Sequence, residues 1–115
     1  LRVLRPGGII RLAVPDLKKL VDKYIDSGDA DAFIDSTNLC VIRPKSFSRR
    51  LQLLLVGSRR HQWMYDAKSL FSLLAKAGFI DVDIVPAGET RILDPEPLNL
   101  MERASQSVYV EARKP

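Results

Sequence analysis

Leu4-Arg5-Pro6-Gly7-Gly8-Ile9-Ile10-Arg11-Leu12-Ala13-Val14-Pro15-Asp16-Leu17 decides how this chain folds. Arg5 to Gly8 join a proline, which fixes φ, to two glycines that tolerate positive φ, and that is turn chemistry. The run Ile9 to Val14 that follows is short, nearly continuous in apolar residues and rich in β-branched ones, as a strand covered on both faces requires. Pro15 has no N–H to give to a ladder and is read as ending the strand. Asp16 can then accept from the free amides of a first helical turn. Leu17, Leu20, Val21, Tyr24 and Ile25 recur at helical spacing up to Gly28, which reads as a C-cap.

Beyond Gly28, Asp29 reads as the cap of a second, short helix carrying Ala32, Phe33 and Ile34, and residues 38–45 read as loop. From Ser46, Phe47, Leu51, Leu54 and Leu55 fall on one stripe with Arg49, Arg50 and Gln52 off it, a third helix that Gly57-Ser58 breaks. Asp66 is an N-cap for a fourth helix with Leu70, Phe71, Leu73, Leu74 and Ala77, closed by Gly78. Residues 79–85 alternate as a strand that Pro86 stops, and a proline-bearing stretch leads to Leu98-Asn99-Leu100-Met101, read as one helical turn. Ser107 to Arg113 make a last strand with its inner face at Val108, Val110 and Ala112. The order strand, helices, strand, strand predicts an α/β fold with about four helices and a small, mixed, three-stranded sheet. A right-handed parallel crossover joins the first two strands, and the last returns antiparallel.

The chain of 115 residues is 46% hydrophobic and 28% charged, the balance of an ordinary globular domain. At this size roughly two-thirds of the unfolded surface is buried, enough for one core, so residues 1–115 are expected to form a single domain. The longest apolar runs, such as Leu53 to Val56, fall far short of the ~20 residues a bilayer span needs, which excludes an integral membrane helix. Cys40 stands alone and His61 is the single histidine, which excludes an internal disulfide and a Cys/His zinc cluster and predicts a reducing compartment, the cytoplasm. The first residue is Leu, and the opening has no secretory pattern; it reads as the tail of an element, so the chain is expected to be part of something larger. A formal charge of +4 draws nucleic acid only where the cations converge on one face.

Three pieces, LRPGGIIRLAVPDL, HQWMYD and SVYVEARK, stand in this order along nearly the whole chain. They resemble the C-terminal half of a class I S-adenosylmethionine-dependent methyltransferase, most of all the bacterial group with an LKPGGxLRIAVPDL strand, an HxxMYD stretch leading into a helix and a closing SLYVEAxK strand. The resemblance implies a partial Rossmann-like fold. In it the LxPGG strand is the fifth of seven and the last strand inserts antiparallel between the fifth and sixth, so the order here becomes first-third-second. It also implies what is missing: the glycine-rich loop after the first strand, the acidic residue that holds the ribose and the fourth strand all precede this segment. Gly7-Gly8 precedes a strand and does not join strand to helix, so it is a tight turn and no dinucleotide fingerprint. No cofactor is expected for this chain alone, although the full-length family uses S-adenosylmethionine, and no methyl transfer.

Pro15 and Asp16 sit where the first strand ends, the functional edge of an α/β sheet, although helix capping accounts for Asp16 without a ligand. The resemblance places the HxxMYD segment near the cleft over the strand ends, which makes His61, Trp63 and Tyr65 candidates for contact with a substrate. A lone histidine with no carboxylate at readable spacing reads first as structural or exposed, and the two aromatics read first as packing at the start of the fourth helix. Arg43, Lys45, Arg49, Arg50, Arg59 and Arg60 form the densest basic stretch, with no acidic residue between Asp35 and Asp66. Its aromatic interleaving is thin, so a solvated helix face comes before nucleic acid or phosphate.

A strand as apolar as Ile9 to Val14 belongs inside a sheet, and without its neighbour it exposes unpaired amides and carbonyls. The expected outcome is self-association through that edge or by swapped helices, most simply a twofold dimer. Three functional readings follow in order: a catalytically incomplete methyltransferase-like module that pairs with itself, one half of a split enzyme completed by a chain carrying the early strands, and a small basic module that binds nucleic acid or phosphate. The resemblance implies that substrate choice would lie in the segments 29–60 and 87–100.

Overall fold

The computed structural model describes residues 3–39, 46, 48 and 63–115. They fall into two compact units, one made of the residues up to Lys19 with Tyr65–Pro115 and the other of Leu20–Met64. Three strands, β1 (Ile9–Pro15), β2 (Ile80–Val85) and β3 (Ser107–Arg113), form the sheet of the first unit in the order β1-β3-β2. The described helices are α1 (Leu17–Ser27), α2 (Ala30–Thr37) and α3 (Ala67–Lys76). This is the expected α/β class and strand order, with one correction. Both hydrogen-bonded pairs are antiparallel, so the sheet is antiparallel and not mixed: β3 inserts between two strands that run the same way and never touch. Three of the expected helices are described, and the one expected from Ser46 falls almost wholly outside the described residues.

β1 runs one residue further than expected, through Pro15, which faces Ser107 on β3. A proline is tolerated there because its absent N–H would point away from β3. β2 begins at Ile80 and carries a register shift between Ile80 and Asp83, with Asp81 at φ 49°. Aspartate accepts that left-handed conformation more readily than most residues. Leu98 to Met101 form turns and no helical turn, because the Asn99 side chain accepts from Met101 N at 3.1 Å and competes for the amide a helix would use.

α3 starts as its sequence dictates. Asp66 Oδ1 accepts from Ser69 N at 2.7 Å while Ser69 Oγ accepts from Asp66 N at 3.0 Å, a reciprocal capping box. Gly78, at φ 88°, ends it where a side chain would be strained. Leu70 and Leu74 on its inner face are buried with Phe79, Val108, Val110 and Ala112, and Ile10, Leu12, Val14 and Val82 pack against this cluster. Each leucine, valine or phenylalanine buried there contributes about 1.5–3 kcal/mol. Phe71 and Leu73 point off that stripe and are 45% exposed.

In the second unit Gly28, at φ 67°, turns the chain from α1 to Asp29, whose side chain caps α2 by accepting from Ala32 N at 3.0 Å. The Tyr24 and Phe33 rings then meet with centroids 5.3 Å apart. Among the described residues no helix is long and apolar enough to cross a membrane.

Candidate functional site

Two places in the first unit gather groups with chemical or binding capacity: the rim of β1 and the sheet face opposite α3. Lys114 N donates to Gly8 O at 2.9 Å and Asp16 N donates to Gln106 O at 2.8 Å, and these bonds bracket the β1–β3 ladder. With the register Ile10↔Ala112, Leu12↔Val110 and Val14↔Val108, they make the even-numbered residues of β1 the hydrogen-bonded pairs. Ile9, Arg11 and Ala13 therefore turn their N–H and C=O groups to the opposite rim. There, among the described residues, the sheet ends.

The C-terminal end of that rim is partly closed. Leu17 N donates to Tyr65 O at 2.9 Å, and Asp16 and Tyr65 form an isolated parallel bridge, so the fold brings together two of the candidate cleft residues. Asp16 is buried and its Oδ1 accepts from Lys18 N at 3.0 Å, which commits the carboxylate to starting α1. Tyr65 is half-buried against the core cluster. Trp63 is 70% exposed. His61 and the basic stretch Arg43, Lys45, Arg49, Arg50, Arg59 and Arg60 lie outside the described residues.

Gly7 and Gly8 do not fit a cofactor cradle. Gly7 N donates to Lys114 O at 3.0 Å and Gly8 N to Arg5 O at 2.9 Å, so neither amide is left for a phosphate. A Cβ on Gly8 would stand 2.9 Å from Arg5 O, and the turn accounts for the glycine there.

On the face opposite α3 lies a polar centre that the periodicity of β3 does not announce. Glu111 has no solvent exposure. Its Oε1 accepts from Arg11 Nη1 at 2.9 Å and from the Thr90 hydroxyl, and its Oε2 accepts from Arg91 N at 2.8 Å and Arg91 Nε at 3.4 Å. Burial pushes this carboxyl up, but the Thr90 hydroxyl, the Arg91 amide and the two guanidinium groups outweigh it and hold Glu111 below the usual carboxylate range. Arg11 also donates to Glu89 O at 2.7 Å and lies over the Tyr109 ring, 4.8 Å from its centroid. Tyr109 Oη donates to Glu102 O at 2.7 Å. Together these bonds fasten the segment between β2 and β3 onto the sheet. A carboxylate so saturated with donors and shut off from water holds structure and does not shuttle protons. Arg11, the one charge in β1, and Glu111, the one acidic residue in β3, are the signal that marks this pair in the sequence.

Comparison with models of protein families, with curated proteins and with solved structures gives no match to this chain.

Proposed function

We propose that this chain is a methyltransferase-like C-terminal module, catalytically incomplete on its own, that works by associating through the outer rim of β1. The observation that carries the reading is the rim itself. An apolar strand presents the N–H and C=O groups of Ile9, Arg11 and Ala13 with no strand beside them among the described residues. The order β1-β3-β2, with the last strand inserted antiparallel, supports the assignment to the end of a Rossmann-like methyltransferase sheet. So do the LRPGGIIRLAVPDL, HQWMYD and SVYVEARK stretches. The lone Cys40 supports a cytoplasmic setting.

The reading assigns no cofactor to this chain. Titration calorimetry with S-adenosylmethionine is expected to give no saturable heat, and sedimentation velocity at micromolar concentration is expected to give a species larger than a monomer. Saturable micromolar binding of S-adenosylmethionine would overturn the first half of the reading, and a monodisperse monomer the second.

A further inference from the structure

The sheet has two rims, and they are guarded differently. β2 carries the register shift, the left-handed Asp81 and the exposed carboxylates Asp81 and Asp83, devices that keep another strand from adding on. On β1 the one charge is Arg11, and its guanidinium is drawn over Tyr109 to Glu111, leaving its side chain 8% exposed. The buried ion pair thus strips the outer rim of β1 of its only electrostatic guard, and a like-charged copy meets no unpaired cation there.

The length of the open stretch then selects a register. Toward the N-terminus it stops where Gly7 N turns to Lys114 O, and toward the C-terminus where Pro15 lacks a donor and Tyr65 bridges Asp16. What remains is Ile9, Arg11 and Ala13. Two antiparallel copies of this window satisfy every donor and acceptor when Arg11 lies on the twofold axis, with Ile9 opposite Ala13 of the other copy. Moving the axis to Ile10 or Leu12 leaves one window residue of each strand without a partner. With Arg11 on the axis, Ile10 and Leu12 stand across from each other on the core face, an apolar pair in the close, non-hydrogen-bonded position.

Resting on the reading of β1 as an association rim, we infer that the partner is a second copy of this chain. It is joined antiparallel through β1 about a twofold axis at Arg11, so that one continuous sheet runs β2-β3-β1-β1-β3-β2. The test uses the full chain with Cys40→Ser. Ile10→Cys and Leu12→Cys variants, mixed and oxidised, are expected to trap a covalent heterodimer, while neither variant alone traps efficiently. Trapping of Leu12→Cys alone, or of Ile10→Cys alone, would overturn the register and leave the association reading standing, and a wild-type chain that sediments as a monomer would overturn the association reading itself. A dimer that none of these cysteines traps would assign the contact to another surface and overturn the inference. Ala13→Pro supplies an independent arm, because that N–H faces the open rim. It is expected to give a folded monomer with unchanged circular dichroism, and a variant that stays dimeric would overturn strand pairing.

Discussion

Arg11 and Glu111 face each other across β1 and β3, and their side chains meet at 2.9 Å with the carboxylate wholly shut off from solvent. One residue lies near the start of the chain and the other near its end, so this contact closes the sheet and anchors the segment between β2 and β3 by way of Thr90 and Arg91.

Removing one partner of such a pair strands the other charge in a low-dielectric interior. Glu111→Gln is expected to lower the unfolding free energy by about 3–5 kcal/mol in urea titrations, with Arg11→Met comparable. The double variant loses less than the sum of the two, because it removes both charges of the pair and strands neither. An additive cycle would show that the two groups do not act as a pair.

The pH dependence follows with a definite sign. Glu111 titrates lower in the folded chain than in the unfolded one, and Asp66 does too, held down by the amide and then the hydroxyl of Ser69. The unfolded chain therefore binds the extra protons. The stability these groups contribute is complete above the unfolded carboxylate value of about 4.3 and is lost as pH falls through the lower folded values. Thermal unfolding followed from neutral to acid pH should show a plateau and then a decline, and Glu111→Gln should flatten that decline. A variant with the wild-type slope would assign the acid sensitivity elsewhere.

The helix start at Asp66 is a local device and should behave as one. Asp66→Ala is expected to lower the denaturation midpoint, and Asp66→Asn or Asp66→Ser to restore most of the loss. Equal losses in all three would mean that the carboxylate charge, not the cap, matters there.

Core and surface on α3 are separated by which stripe a leucine occupies. Leu70→Ala, in the buried cluster, should cost about 2–5 kcal/mol in chemical denaturation, and Leu73→Ala, which is 45% exposed, far less. Similar losses at both positions would contradict the packing of α3 on the sheet.

The elements were legible wherever local chemistry decides them. β1, α1, α3 and β3 announce themselves through an apolar run, a helical stripe, a capping aspartate and a terminal glycine, each of which acts within a few residues. What stayed hidden depends on residues far apart in the chain. Glu111 alternates with Val110 and Ala112, so its periodicity alone turns it toward water. Only the long connection folding back over that face buries it. Pro15 likewise ends a ladder by its own chemistry, and it remains in β1 because of the side on which β3 happens to lie. Asp16 was visible as both a cap and a cleft residue, and its bond to Lys18 N shows the cap.

Amide hydrogen exchange, read residue by residue by NMR across a range of chain concentrations, tests the central claim most directly. The amides of Ile10, Leu12 and Val14 point at β3 and should be protected at every concentration. Those of Ile9, Arg11 and Ala13 point the other way and should become protected as concentration rises. Fast exchange at these three positions up to the highest concentration, with the even-numbered residues still protected, would contradict the account of β1 as an association rim.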